Sequence, residues 1–129
     1  MPVDVFLVED LKTIQSAIEA MLQGLGSYRI VANAPTEAEA LEWLEQNPLG
    51  WELAIIDLVL EQGSGMGVIR RCRRTAPGAK VVVFSNFVTP GIRQHCLHLG
   101  ADAAFHKHDD LAAFADWCVA LSPPAEPSA

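Results

Sequence analysis

The sequence predicts an α/β fold in which a parallel β-sheet carries helices on both of its faces. Short β-rich runs alternate with amphipathic stretches of helical period, five times over. The runs themselves are apolar along most of their length, which is expected of strands covered on both sides. At 129 residues the chain is about one domain, and with 50% of its residues apolar it can bury a core without metal or disulfide.

The first strand is Val3 to Val8, apolar at all but one position. A helix follows with Leu11, Ile14, Ile18, Met21, Leu22 and Leu25 on one face, ended by Gly24 and Gly26. The second strand covers about Tyr28 to Ala32. The second helix opens at Thr36, where Thr36-Glu37-Ala38-Glu39 fits a capping box, and Leu41 and Leu44 form its inner face. Pro48 and Gly50 stop it. Leu53-Ala54-Ile55-Ile56-Asp57 is an apolar strand ending in a carboxylate, followed by a loop with Gly63, Ser64 and Gly65 and a helix through Val68, Ile69 and Cys72. Arg70, Arg71, Arg73 and Arg74 crowd the end of that helix, where the dipole favours cations, and read as a solvated cap.

The fourth strand runs from Lys80 to Phe84 and ends at Ser85; Thr89-Pro90 then supplies an N-cap and a first-turn proline for a helix closed by Gly100. A short strand from Ala101 to Phe105 precedes a last helix, from about Asp109 to Leu121, with Leu111, Phe114, Trp117, Cys118 and Leu121 inward. Residues 1–121 form the expected domain, and 122–129, rich in proline, read as a disordered tail or the root of a linker. Trp43, Trp51 and Trp117 are expected to pack in the core or at its edge.

Composition excludes several functions. A net charge of -7 disfavours direct contact with a nucleic-acid backbone, whose binding rests on Lys and Arg. Cys72, Cys96 and Cys118 are odd in number, lie in apolar stretches and make no CxxC pair, so they read as reduced core thiols. The start carries no basic leader with an apolar h-region, and no run approaches the length of a membrane span. The expectation is a soluble cytoplasmic protein that meets no membrane. His95 and His98 lie three apart and His106 and His108 flank Lys107; exposed histidines on a partner-facing surface are favoured there over a transition-metal site. Gly63-Ser64-Gly65-Met66-Gly67 follows the third strand rather than the first and lacks the lysine of a P-loop.

In a doubly wound sheet the functional site lies beyond the carboxyl ends of the strands. Glu9 and Asp10 follow the first strand, Asp57 ends the third, Ser85 the fourth, and Lys107 follows the fifth. Three carboxylates gathered at one edge repel one another and oppose mutual ionisation, a conflict that a divalent cation removes. With hard oxygen donors and no His or Cys among them, the set favours Mg²⁺, which takes one or two carboxylates together with waters and phosphate oxygens. Taken singly, each feature has a plainer reading: a helix-start acidic pair, a loop-capping aspartate, a solvated lysine.

Together, Val-Glu9-Asp10, Ile-Ile-Asp57-Leu-x-Leu with Ser64-Gly65, Val-Val-Phe-Ser85, and Gly100-Ala-Asp-Ala-Ala-Phe105-x-Lys107 resemble the signature of response-regulator receiver domains, over residues 3 to 121. The resemblance implies a flavodoxin-like (βα)5 doubly wound parallel sheet with strand order 2-1-3-4-5. It further implies a phosphorylation-dependent switch of two-component signalling, a phosphoacceptor domain that catalyses only its own phosphoryl transfer and dephosphorylation. Asp57 is then the phosphorylated nucleophile; Glu9, Asp10, Asp57 and the backbone carbonyl of Val59 hold Mg²⁺, Glu9 mainly through a water; Lys107 neutralises one phosphoryl oxygen and Ser85 hydrogen-bonds another. Ser85 and Phe105 form the switch, altering the surface of the fourth helix, fifth strand and fifth helix that a downstream protein reads. The donor is a sensor histidine kinase or a phosphotransfer protein.

Departures from the pattern are specific. Phe105 stands where Tyr is common, His108 where Pro is usual, Asn86 where a small residue is frequent, and Glu61-Gln62 where Pro-Gly is frequent. The first three motivate a competing expectation, a receiver-like docking module whose output does not depend on phosphate. A flavodoxin-type enzyme is disfavoured, because the loop after the first strand is acidic rather than built to cradle a flavin phosphate.

Overall fold

The computed structural model describes residues 2–121; the expected tail at 122–129 lies outside the described residues. Ten elements alternate in the order β1 (Val3–Val8), α1 (Lys12–Leu25), β2 (Tyr28–Ala34), α2 (Glu37–Gln46), β3 (Leu53–Ile56), α3 (Gly65–Thr75), β4 (Lys80–Ser85), α4 (Pro90–Leu99), β5 (Ala103–His106) and α5 (Leu111–Leu121). The five strands are parallel and ordered β2-β1-β3-β4-β5, as the resemblance implied.

Successive side chains of a strand point to opposite faces, and the sheet uses both. Phe6, Val8, Ala54, Ile56, Val81 and Val83 pack under α2, α3 and α4 with Leu44, Ile69, Cys72 and Cys96. On the other face, Val5, Leu7, Leu53, Ile55, Val82 and Phe84 pack under α1 and α5 with Ile18, Leu22, Phe114 and Cys118. The three cysteines are free and buried, as expected. Trp43 stacks on Phe6 and Trp51 is buried, while Trp117 packs from α5 beside Phe105.

Several expectations need correction. Leu11 is 56% exposed, because it precedes α1 as its N-cap residue instead of lying on its inner face. Gly24 sits within α1, and Gly26 alone follows its end. On α2 the buried positions are Ala40 and Leu44, and Leu41 is only half-buried. Leu111 is 46% exposed at the start of α5. β2 runs two residues further than expected, to Ala34, since its pairing with β1 continues to Val8. β5 begins at Ala103, two residues later than expected; Asp102 precedes it, donating its N–H to the Val81 carbonyl of β4 and accepting the Val81 N–H on its carboxylate. At α2, Thr36 caps the Glu39 N–H, while the Glu39 carboxylate meets the Thr36 hydroxyl.

The arginine cluster on α3 is not uniformly solvated. Arg73 donates to the carbonyls of Gly100, Pro77 and Ala79 and to Asp102, tying α3 to the β5 approach. No helix among the described residues is long and apolar enough to cross a membrane, and none of their peptide bonds is cis.

Candidate functional site

The carboxyl ends of β1, β3, β4 and β5 bring the sequence-derived residues to one rim. Glu9 is held there by its neighbours: its N–H donates to Ala34 of β2, and its carbonyl accepts from Gln15 of α1 (2.9 Å) and Asn33 (3.2 Å). The Asp57 N–H donates to the Val8 carbonyl, continuing the β1–β3 pairing by one residue and fixing the carboxylate beside Glu9.

Glu9, Asp10 and Asp57 each place a carboxylate oxygen within 4.8 Å of the others'. Glu9 is 1% exposed and Asp57 8%, with Asp10 half-buried. Lys107 enters this cluster from the turn directly after β5, its Nζ 2.7 Å from Glu9 Oε1 and 3.1 Å from Asp57 Oδ2. Its depth follows from the β4–β5 pairing, in which the Lys107 N–H donates to the Ser85 carbonyl. Ser85 is fully buried at the end of β4, and its Oγ accepts the Phe87 N–H at 3.3 Å.

Electrostatics reflect the crowding. Burial pushes the Glu9 carboxyl above the ordinary carboxylate range, and the charge of Asp57 adds to this, although the Lys107 ammonium and the Leu11 N–H oppose it. For Lys107, burial works against the charge, but the hydrogen bond to Glu9 and the charge of Asp57 outweigh it and hold the ammonium above the usual lysine value. One ammonium among three carboxylates leaves the rim with negative charge, and its hard oxygen donors suit a small divalent cation.

Two backbone features shape the approach to Asp57. The Val59 N–H donates to Asp57 Oδ1 at 3.3 Å, so the chain turns back over the carboxylate immediately after it. Gly65 opens α3 so close beneath that an added Cβ would lie 2.1 Å from the Asp57 carbonyl oxygen; glycine is needed for close approach. Ser64 caps the helix by accepting the Met66 N–H.

A family model for the response regulator receiver domain matches residues 5–116. The chain belongs to that family. This receiver also resembles solved structures in fold. A chain of the CheX–CheY complex of Borrelia burgdorferi, solved with BeF3 and Mg, superposes with a TM-score of 0.83 at 16% identity, covering 94% of this chain and 90% of that one. A LuxR-family two-component response regulator from Aurantimonas sp. gives 0.79 at 18% identity, covering 98% and 91%. The response regulator domain of Thermotoga maritima CheB gives 0.77 at 17%, covering 94% and 93%. No curated protein matches the sequence.

Phe105, half-buried on β5, makes an edge contact with Phe114 (ring centroids 5.8 Å) and a tilted one with Trp117 (6.3 Å). His95, His98 and His108 are exposed. His106 is half-buried: its Nδ1 accepts the N–H groups of His108 and Asp109, which organises the turn into α5. Sequence reasoning missed Gln15 and Asn33, since a lone amide on an amphipathic element reads like any solvated side chain until the backbone that it meets is known.

Proposed function

We propose that this receiver accepts a phosphoryl group on Asp57 from the phosphohistidine of a sensor histidine kinase or a phosphotransfer protein, and acts as a cytoplasmic switch. The observation that carries the reading is the Lys107 ammonium seated between Glu9 and Asp57 inside a cluster of three carboxylates. A carboxylate so placed is a nucleophile with a cation ready beside the position where the phosphoryl oxygens arrive.

Glu9, Asp10, Asp57 and the Val59 carbonyl would hold Mg²⁺, consistent with the Mg of the similar Borrelia complex. When bound, that ion supplies charge neutralisation and orientation to a phosphoryl group. An Asp57 carboxylate oxygen attacks phosphorus, the P–O bond forms as the P–N bond to the donor histidine breaks, and the bonding pair departs with the imidazole. Lys107 stabilises charge on one phosphoryl oxygen, and the Ser85 hydroxyl, whose oxygen accepts the Phe87 N–H, donates its own hydrogen to another. Phosphoryl transfer needs mainly such positioning and charge compensation. Movement of Ser85 toward the phosphoryl group lets Phe105 rotate, and a downstream protein reads the altered surface of α4, β5 and α5.

Incubation with acetyl phosphate and Mg²⁺ tests this. The expected result is a base-labile adduct of one phosphoryl mass on the wild type and none on Asp57→Asn. An unmodified wild type, under conditions that label another receiver, rejects the proposal. Equal partner binding by wild type and Asp57→Asn would instead identify a docking module indifferent to phosphate.

A further inference from the structure

The loop from Leu58 to Ser64 departs from the family pattern at Glu61-Gln62, and its course rests on one side chain of the neighbouring helix. Glu37, in the first turn of α2, donates its N–H to the Gln62 carbonyl at 3.1 Å and accepts the Ser64 N–H on Oε1 at 2.8 Å. Two glycines leave room for it. A Cβ on Gly63 would lie 2.4 Å from Glu37 Cβ, and one on Gly67 would lie 2.3 Å from Glu37 Oε2. Gly63 also has a φ of 83°, a conformation that side chains rarely adopt.

The lock continues into the site. Ser64 pairs with Val59 in an isolated antiparallel bridge, flanked by the Gly65 N–H donating to the Leu58 carbonyl at 3.0 Å. Val59 in turn donates its N–H to Asp57 Oδ1. A connected series of contacts thus runs from the Glu37 carboxylate through the backbone of Ser64 and Val59 to the Asp57 carboxylate.

We propose that Glu37 is a positioning residue for the Asp57 site, fixing the loop so that the Val59 carbonyl and the Asp57 carboxylate are oriented toward one cation before it binds. The inference rests on the metal-dependent reading above. The helix dipole alone favours a carboxylate in a first turn, but it explains neither the glycine cradle nor the bond to Ser64. Groups that orient metal ligands from outside the coordination shell carry a measurable share of the affinity.

Mg²⁺ binding, followed by calorimetry on the full chain, separates the possibilities. Glu37→Ala is expected to weaken Mg²⁺ binding by about ten-fold, at the low end for loss of an outer-shell partner. Glu37→Gln keeps an oxygen for the Ser64 N–H and should restore most of that affinity, although it removes the same charge. Gly67→Ala displaces the carboxylate by steric contact and leaves its charge in place, so it should reproduce the loss in the wild type and add nothing in Glu37→Ala. Equal Mg²⁺ affinity in wild type and Glu37→Ala overturns the inference, as does a Gln variant as weak as Ala. A wild type that binds no Mg²⁺ overturns the proposed function itself, a result distinct from either.

Discussion

Arg73 on α3 and Asp102 before β5 share a carboxylate oxygen with the sheet: Asp102 Oδ2 lies 2.7 Å from Arg73 Nη2 and accepts the Val81 N–H at 2.8 Å. The same guanidinium donates to three carbonyls, and Gly100, at φ 121°, passes close enough that an added Cβ would lie 2.9 Å from Arg73 Cβ. Arg73→Ala leaves these acceptors and one carboxylate oxygen without their cation. Its expected cost is about 2 to 3 kcal/mol, against less than about 0.5 kcal/mol for the exposed Arg74→Ala. Urea unfolding of the two variants checks this, and equal midpoints would refute it.

Burial pushes the thiols of Cys72 and Cys118 up to about 12, Cys72 despite the neighbouring Arg73. The folded state therefore keeps protons that the unfolded chain releases above the ordinary thiol value of 9.0. This stabilisation is complete below that pH and is lost progressively as pH climbs toward the folded value. By pH 10 each thiol has given up on the order of 1 kcal/mol. The stability gap between wild type and Cys72→Ala should accordingly shrink between pH 8 and about pH 10; a constant gap would show that the thiol titrates alike in the folded and unfolded chain.

The alternation of apolar runs with helical faces made the ten elements and the rim residues legible, because β-strands covered on both sides leave a strong local pattern. Legibility failed where tertiary contact overrides local type. Arg73 has the same local character as Arg70 and Arg74, yet the turn carrying the Pro77 and Ala79 carbonyls and the return of Gly100 and Asp102 give its side chain partners. Glu37 looked like one more acid at a helix start, and its role depends on a loop that lies 27 positions from it at Ser64. Leu11 and Leu111 satisfied the helical period but fall at helix starts, where that face has not yet met the sheet.

Lys107 competes with any cation for the same carboxylates, because its ammonium already contacts Glu9 and Asp57. Lys107→Met should bind Mg²⁺ at least about three-fold more tightly, since a positive charge a few Å away is removed. It should also unfold more easily without metal, because buried Glu9 then lacks its counter-charge. Calorimetry with Mg²⁺ and thermal unfolding in chelator give the two readings, and a variant with weaker Mg²⁺ binding contradicts the competition.

Phe105 and Trp117 provide an optical readout of the proposed switch. Their rings are 6.3 Å apart on the α5 face of the sheet, while Trp43 and Trp51 belong to the opposite face. In a Trp43→Phe, Trp51→Phe background, emission from Trp117 alone should change when acetyl phosphate and Mg²⁺ are added, because rotation of Phe105 removes a ring contact. Asp57→Asn in that background should show no change. Phe105→Ala should begin with altered emission, respond little, and lose about 1 to 2 kcal/mol, less than a fully buried phenylalanine would. An unchanged Trp117 signal in a protein shown by mass to be phosphorylated would mean that the phosphoryl group does not move Phe105, and that the output surface is reached by another route.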